Sequence, residues 1–332
     1  MGPGTGIGIG IGGATATAAA ITAAAATTTT STATTTSSPA LQLTGGRFGS
    51  ALRGQVAVAI KMYTPPELDV ATIEAYAYET EILNELCHPN IVPYYGLCVN
   101  PPHLCLVFAL CPQGSLQDHM DTDRQQRSGR STTASASSST SKSKSRWPPQ
   151  RKAQVLLDCA SAVAYLHSRG YAHRDIKPGN FLLDERFRCM LTDFGSALRV
   201  GPPAAPGDRA AARALARAEQ PTDCVAGTVA YMAPEVLAQR RSAPGGFTYG
   251  PAQDVFSLGV LMAAVLAMKA PHAGLSSFEV RAAVATGRRP ALPPCPAPVR
   301  AAVEAAWAQD PLARATAQDV VDALVDTFAA AP

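Results

Sequence analysis

Apolar residues follow two kinds of pattern along the chain, and the change divides it into a front and a rear part. A Val-, Ala- and Ile-rich stretch at 55–63 and short apolar runs at 91–99 and 104–110 are typical of strands. Residues 66–86 and 153–168 carry apolar side chains at helical spacing, and helical patterns predominate in the rest of the rear part. The pattern predicts an α+β fold with two lobes and a ligand site between them.

Two polar segments of low complexity interrupt these patterns. Residues 1–40 consist largely of Gly, Ala and Thr, a composition that predicts a disordered tail. Residues 121–150 hold a Ser/Thr run with scattered Arg and Lys, which we interpret as a solvated insertion between two ordered parts. A regulatory phosphorylation segment and a docking tail are the alternatives for this insertion.

Composition limits the cellular compartments and the classes of partner that we expect for this chain. A net charge of +3 over 332 residues gives no reason to expect nucleic acid or a membrane surface as a partner. The eight cysteines form no C-x-x-C pair and no zinc-type cluster, so we expect reduced thiols in the cytoplasm. The first basic residue is Arg47, so the tail lacks the charged start of a signal peptide. A plastid transit peptide would share the tail's acid-free composition, and that alternative stays open.

Two short polar motifs hold the candidate chemistry: HRDIKPGN at 173–180 and DFG at 193–195. Phosphoryl transfer needs a divalent metal, a group that orients the attacking hydroxyl, and cations that hold the polyphosphate. Asn180 and Asp193 can supply metal oxygens, Asp175 can accept the hydroxyl proton, and Lys177 is a suitable cation. Because these hard oxygen ligands are too few to fill a coordination shell, Mg²⁺ is the expected metal.

A glycine-containing stretch precedes the strand that ends at Lys61. Gly46 and Gly49 would let backbone amides approach phosphate oxygens, and Phe48 would shield them from water. Lys61 would reach the same phosphates. Taken alone, the stretch is explained equally well as an ordinary hairpin.

Together these motifs resemble those of the eukaryotic protein kinases. The resemblance covers about 41–324 and rests on Gly46/Phe48/Gly49, VAIK at 58–61, HRD at 173–175, DFG at 193–195 and APE at 233–235. It implies a bilobal protein-kinase fold, with a small antiparallel-sheet N-lobe that has one main helix and a mainly helical C-lobe. The implied boundaries are an N-lobe at 41–108, a hinge at 109–114, a C-lobe at 115–328 and an activation segment at 193–235, within a kinase domain at 41–328.

The same resemblance assigns further site residues. Glu79 is the expected helix partner of Lys61, with Glu81 as the near alternative. Leu83, Tyr94, His173 and Phe194 would form an apolar stack. The implied nucleotide contacts are Phe108 as gatekeeper, Ala109 and Cys111 as backbone partners of adenine, Asp118 at the ribose, and Ala59 and Leu182 on the two faces of the adenine ring.

Residues after the DFG motif imply acceptor specificity and regulation. Thr228 would contact Asp175 and Lys177, an arrangement that resembles serine/threonine kinases. Arg174 implies activation by loop phosphorylation, and an upstream kinase would then be a partner. The alternative is a loop that is constitutively ordered or simply flexible. Thr222 is the preferred phosphosite, with Ser196 and Thr228 as alternatives. Three arginines spaced four apart predict one or two exposed helical turns within this loop: Arg209, Arg213 and Arg217.

Three more residues are expected to be structural. Asp254 would buttress the catalytic loop, and Glu235 would form a buried ion pair with Arg314.

The function predicted is therefore an ATP- and Mg²⁺-dependent protein kinase that phosphorylates Ser and Thr in protein substrates. Residues 287–293 resemble the tyrosine-kinase-like group, which includes Raf-like and plant receptor-like kinases. A pseudokinase scaffold is the main alternative, although Lys61, Asp175, Asn180 and Asp193 are all present. A small-molecule kinase would lack the APE motif and the Asp254 helix. Thr44 and Ala51 depart from the family pattern and bear on nucleotide affinity.

Overall fold

The structure is a computed structural model that describes residues 57–63, 69–100, 103–129, 147–205, 207–222, 226–239 and 247–329. The glycine-containing stretch with Gly46, Phe48 and Gly49 lies outside the described residues, as do Thr44 and Ala51. The tail at 1–40 and residues 130–146 of the Ser-rich insertion also lie outside them.

The strands, in chain order, are β1 (Val58–Tyr63), β2 (Tyr94–Asn100), β3 (His103–Ala109), β4 (Tyr171–Ala172), β5 (Phe181–Leu183), β6 (Cys189–Leu191), β7 (Leu198–Arg199), β8 (Gln220–Thr222) and β9 (Phe247–Tyr249). The helices are α1 (Val70–Glu85), α2 (Leu116–Gly129), α3 (Pro149–Ser168), α4 (Arg209–Leu215), α5 (Pro234–Ala238), α6 (Pro251–Ala267), α7 (Ser277–Ala285), α8 (Ala297–Ala306) and α9 (Ala317–Ala329). Short 3-10 helices span Pro178–Asn180, Phe194–Ser196, Val229–Tyr231 and Pro311–Ala313.

The chain divides into two compact units, of which the first comprises 1–64 and 95–108. In its described part, β1, β3 and β2 form a sheet in that order. Consecutive residues of β3 from Leu104 to Phe108 are buried, so both faces of this central strand are covered. This explains why 104–110 reads as an unbroken apolar run rather than as an alternating one.

The second unit comprises 65–94 and 109–332 and begins with α1. Asp69 caps α1 by accepting the backbone N–H of Thr72 at 2.8 Å, and Pro89 follows the helix end. The predicted helix at 66–86 is therefore confirmed with slightly narrower bounds.

Helix α6 is the centre of the second unit. Nearly every residue from Pro251 to Val265 is buried, because α3 and α8 pack against it. A helix that is apolar on all sides is expected in such a position. Helix α3 also packs against α9, and antiparallel pairs β4–β7, β5–β6 and β8–β9 present the loops of the site. This mixture of helices and small antiparallel sheets is the α+β class that the sequence predicts.

The Ser-rich segment predicted at 121–150 begins inside a helix. Helix α2 continues to Gly129, and Met120 and Asp123 on it are buried. After the undescribed residues, Trp147 is buried with its ring 5.4 Å from that of His119. Within the described ranges, no helix is both long and apolar enough to span a bilayer.

Candidate functional site

The loop after β4 is held by a buried carboxylate on α6. Asp254 is fully buried, and it accepts the backbone N–H groups of His173 at 2.6 Å and Arg174 at 2.9 Å. Its Oδ2 also accepts from His167 Nε2 at 3.0 Å. Burial alone would raise the pKa of Asp254, but the hydrogen bond and charge of His167 and the nearby His173 lower it, so the carboxylate is ionised.

That buttress stabilises an unusual backbone conformation. Arg174 has φ of 71°, a left-handed value that costs a non-glycine residue free energy. Bonds from Asp254 to two successive amides fix this conformation. The buttressing role predicted for Asp254 is confirmed.

Asp175 lies in a cluster of hydrogen-bonding side chains. Its Oδ1 accepts from the Thr228 hydroxyl at 2.9 Å, and its Oδ2 lies 2.7 Å from Lys177 Nζ. Lys177 Nζ also donates to Thr228 Oγ1 at 3.1 Å. Asn180 Nδ2 donates to the Asp175 carbonyl at 2.8 Å and to Oδ2 at 3.0 Å. The structure thus brings together a carboxylate, an ammonium, a hydroxyl and a carboxamide.

Thr228 reaches this cluster because the chain before it passes close to the loop after β4. Gly227 has φ of 108°, and a Cβ on it would lie 2.5 Å from the Arg174 carbonyl oxygen. Only glycine fits this approach without strain.

The loop with Asp193 is joined to the same cluster through backbone bonds. Thr192 N–H donates to the Asn180 carbonyl at 2.9 Å, and His173 Nε2 donates to the Thr192 carbonyl at 3.1 Å. Asp193 has φ of 65° and ψ of 73°, and the 3-10 helix Phe194–Ser196 follows. The residue directly before Asp193 is thereby hydrogen-bonded to Asn180.

The donor chemistry of Asn180 and Asp193 fits a hard divalent cation. One carboxamide oxygen and one carboxylate are ligands that Mg²⁺ accepts, the rest of its shell coming from water and phosphate. Among the described residues, no group of three or more His, Cys, Asp or Glu could hold a metal by itself.

Helix α1 places Glu79 beside this segment. Glu79 is buried, and a Cβ on Gly195 would lie 3.3 Å from its Oε2. Leu83, Tyr94, His173 and Phe194 are buried, and the rings of the last two lie 5.3 Å apart in an edge-on contact. Lys61 belongs to β1 of the first unit, with Ala59 on the same strand and Phe108 on β3.

Residues 109–114 are fixed by backbone bonds within the second unit. Ala109 N–H donates to the Pro93 carbonyl at 2.9 Å, and Gln113 N–H and the Gly114 carbonyl bond to Leu183 of β5 at 3.2 and 2.9 Å. Burial raises the pKa of the Cys111 thiol to about 12, so it stays protonated.

Asp118 and Leu182 lie next to this stretch. Asp118 Oδ2 accepts the N–H of Ser115 at 2.8 Å and its hydroxyl at 2.7 Å, which caps α2. Leu182 is half-buried on β5 and forms a backbone bridge with Ser115. Asp118 therefore has a structural role that sequence reasoning did not assign to it.

Arg174 also contacts the predicted phosphosite. Its Nη1 donates to the Thr222 hydroxyl at 2.6 Å, and its Nε donates to the Ser196 carbonyl. Thr222 is held on β8 opposite Phe247 of β9.

The helical turns predicted for the activation segment are present as α4, and one face of them is covered. Leu215 is buried, Arg209 lies 3.7 Å from Asp322, and Arg213 lies 3.5 Å from Asp319. Both aspartates are on α9. The prediction of exposed turns agrees with the two arginines, whose side chains are 81% and 70% exposed. Their ion pairs with α9 were not predicted, because the partner residues are more than one hundred positions away.

The predicted pair of Glu235 and Arg314 is confirmed. The guanidinium bonds both carboxylate oxygens, at 2.5 and 2.7 Å, and the Arg314 side chain is 1% exposed against 23% for Glu235.

Comparison with known proteins identifies one family. A family model described as "Protein kinase domain" matches residues 43–324. Similar curated proteins include the dual specificity protein kinase shkC of Dictyostelium discoideum, 26% identical over 287 residues. The serine/threonine-protein kinase STY46 of Arabidopsis thaliana is 28% identical over 288 residues, and the probable serine/threonine-protein kinase drkC of D. discoideum is 29% identical over 281 residues.

These alignments cover most of this chain and a minority of each relative. They include 84%, 85% and 83% of the chain and 49%, 43% and 32% of shkC, STY46 and drkC, respectively. The chain therefore spans less than half the length of these three proteins.

Proposed function

Because the chain belongs to the protein kinase family, we propose that it is a catalytically active kinase that transfers the γ-phosphate of Mg·ATP to serine and threonine hydroxyls of proteins. The observation that carries the proposal is the cluster of Asp175, Lys177 and Thr228. It supplies an acceptor for an incoming hydroxyl and a cation for phosphoryl oxygens.

Asp175 acts in this mechanism as the hydrogen-bond acceptor that orients the attacking group. Its two oxygens already accept from Thr228 and Lys177, at 2.9 and 2.7 Å. An acceptor hydroxyl beside the carboxylate is oriented by the same atoms and gives up its proton there. Lys177 neutralises charge that develops on the transferred group.

Asn180 and Asp193 would hold the magnesium ion. Mg²⁺ neutralises phosphate charge when it is bound with the nucleotide. Because Asn180 Nδ2 donates to Asp175, the carboxamide oxygen is the atom of Asn180 suited to a cation.

For the nucleotide, we propose the contacts that the resemblance to protein kinases implies. Lys61 would hold phosphate oxygens and be oriented by Glu79, whose burial on α1 supports a fixed position. The remaining proposed contacts are Gly46, Phe48, Gly49, Ala59, Phe108, Ala109, Cys111, Asp118 and Leu182.

Serine/threonine specificity is supported by the contact of Lys177 with Thr228. The name of shkC includes dual specificity, so the acceptor residue has to be measured for this chain. Membership of the tyrosine-kinase-like group is proposed on residues 287–293 alone.

Regulation by phosphorylation of Thr222 is supported by its contact with Arg174. A phosphate on Thr222 would place its charge against a guanidinium, which favours an ordered loop. A phosphate on Thr228 would instead lie beside the Asp175 carboxylate. We therefore propose Thr222 as the target of an upstream kinase.

An intracellular, reducing compartment is proposed from the thiols. The cysteines of the described part form no disulfide bond, and the thiols of Cys159 and Cys189 are hydrogen-bonded to each other, with their sulfur atoms 3.6 Å apart.

The proposed metal role predicts that Asp193→Asn abolishes phosphate transfer and leaves the fold intact. The substitution removes one carboxylate ligand and so weakens binding of the metal ion. It leaves the packing of the core unchanged, because Asp193 is exposed. Transfer from labelled Mg·ATP to a mixed protein substrate would be measured together with thermal unfolding. Asp326→Asn, on an exposed residue of α9, is the matched control.

Two outcomes would contradict the proposal. Activity retained by Asp193→Asn would refute the metal assignment. A wild-type chain that binds ATP and transfers nothing, even after treatment with an activating kinase, would favour the pseudokinase scaffold.

A further inference from the structure

The end of α1 is bonded to the activation segment by three polar side chains, which we call the α1 anchor: Glu85, Tyr171 and Arg199. Arg199 Nη2 donates to Glu85 Oε1 at 2.8 Å, and the Tyr171 hydroxyl donates to Glu85 Oε2 at 2.9 Å. Arg199 also bonds the Tyr171 hydroxyl, and its guanidinium lies 4.6 Å from the centre of that ring. The Arg199 N–H donates to the hydroxyl of Tyr78, also on α1, at 3.1 Å.

Backbone pairing fixes two members of the α1 anchor relative to each other. Tyr171 of β4 lies opposite Arg199 of β7 in an antiparallel pair. Cross-strand neighbours of this kind have side chains within contact distance on one face. Glu85, in the last turn of α1, therefore meets a preformed pair of donors.

The charges of the α1 anchor favour its bonded form. Burial alone would raise the pKa of Glu85, but hydrogen bonds from Tyr171 and Arg199 lower it below its usual value. Burial and the Glu85 carboxylate raise the pKa of Tyr171, so its hydroxyl stays a donor. Hydrogen bonds with one ionised partner are stronger than neutral ones.

Helix α1 is thus attached to the activation segment at two points. Glu79 lies beside Gly195, and six positions later Glu85 bonds Arg199. Gly195 and Arg199 are four positions apart on one short stretch. Because both attachments involve the same two segments, a rotation of α1 that moves Glu79 has to break the second attachment as well.

We propose that Glu85 and Arg199 are positioning residues that hold α1 on the activation segment and thereby keep the Glu79 carboxylate beside the metal-binding loop. They act through Glu79 and do not touch the reacting atoms. The kinetic consequence rests on the proposed kinase activity, whereas the effect on α1 itself does not.

The alternative explanation is that Glu85 and Arg199 form an ordinary surface ion pair with no positioning role. The side chains of Arg199 and Glu85 are 38% and 32% exposed, and exposed pairs contribute little to stability. The two explanations differ in locality. If the pair is an ordinary surface pair, its loss changes hydrogen exchange in α1 no more than in the rest of the second unit. If it is an anchor, its loss increases exchange in α1 first.

Hydrogen exchange of the full chain, followed by mass spectrometry of peptides covering Val70–Glu85, tests the anchor directly. The variants are Arg199→Met and the isosteric Glu85→Gln. Glu85→Gln preserves the side-chain volume, so the test can still be made if Arg199→Met does not fold. Arg188→Met is the control, because it breaks the 2.8 Å pair with Asp184, away from α1. We expect exchange in α1 to be about tenfold faster in both anchor variants, the effect of losing one charge-assisted hydrogen bond.

Kinetics of the same variants test the positioning role. We expect kcat to fall about tenfold, with KM for the protein acceptor unchanged within about twofold, because Glu79 acts on the transfer step. Since Glu85 and Arg199 form one unit, Glu85→Gln/Arg199→Met should be no worse than either single variant.

The proposal is overturned if α1 exchanges in Arg199→Met and Glu85→Gln as it does in Arg188→Met. It is also overturned if the effects of the two single variants add in the double variant. If the wild-type chain transfers no phosphate, the proposed function fails, and the exchange rates still decide on the anchor.

Discussion

A single residue with buried charge, Asp254, sets the geometry of the loop that contains Asp175. Asp254 accepts two successive backbone amides, and these bonds maintain Arg174 at φ of 71°. Arg174 in turn directs its guanidinium to the hydroxyl of Thr222. One carboxylate on α6 therefore governs both the backbone beside Asp175 and the side chain that meets the activation segment.

Thr222→Ala is expected to lower activity about tenfold or more if a phosphate on this residue orders the segment through Arg174. The measurement is kcat/KM for a protein substrate, together with mass spectrometry of the phosphorylated residues. Thr327→Ala on α9, whose hydroxyl bonds only to its own helix at 2.7 Å, is the control. Unchanged kcat/KM in Thr222→Ala would show that phosphorylation of Thr222 does not activate the chain.

Among the elements, the activation segment is held at several places rather than at its ends alone. β7 pairs with β4, α4 contacts α9 through Arg209 and Arg213, and β8 pairs with β9. Gln253 of α6 also donates to Glu219 at 3.0 Å. Thr222 itself and the elements that precede it in this segment are thus joined to the rest of the second unit.

Helix α5 is joined to the segment after α8 by the pair of Glu235 and Arg314. Because Arg314 is almost fully buried, Glu235→Ala leaves an uncompensated charge and is expected to cost about 3–5 kcal/mol of unfolding free energy. Urea unfolding measures this cost. Glu304→Ala, which breaks an exposed pair with Arg300 at 3.6 Å, is expected to cost about 1 kcal/mol or less. If Glu235→Ala and Glu304→Ala lower the free energy of unfolding equally, burial of Arg314 does not make the Glu235–Arg314 pair more important for stability.

At the scale of the whole molecule, the sequence predicted the fold and the cluster of Asp175, Lys177 and Asn180 because local motifs define them. Asp175, Lys177 and Asn180 lie within six residues, and their bonds follow from one loop. The helical spacing at 66–86 likewise predicted α1. Such short-range patterns are visible without any tertiary information.

Long-range contacts were predicted only where the family resemblance supplied them, as for Glu235 and Arg314. Glu85 and Arg199 are 114 positions apart, and each alone looks like an ordinary charged residue on a solvated surface. The ion pairs of α4 with α9 have the same character. The continuation of α2 to Gly129 was hidden by its polar composition, because the buried Met120 and Asp123 offer too weak an apolar stripe.

The central claim is that the chain transfers phosphate to serine and threonine with Asp175 as the acceptor of the hydroxyl proton. The most direct test incubates the full chain with labelled Mg·ATP and a mixed protein substrate and then identifies the labelled amino acids. The account predicts label on serine and threonine, and its loss in Asp175→Asn, because the amide no longer accepts the proton. Label on tyrosine alone, or label that persists in folded Asp175→Asn, would contradict it.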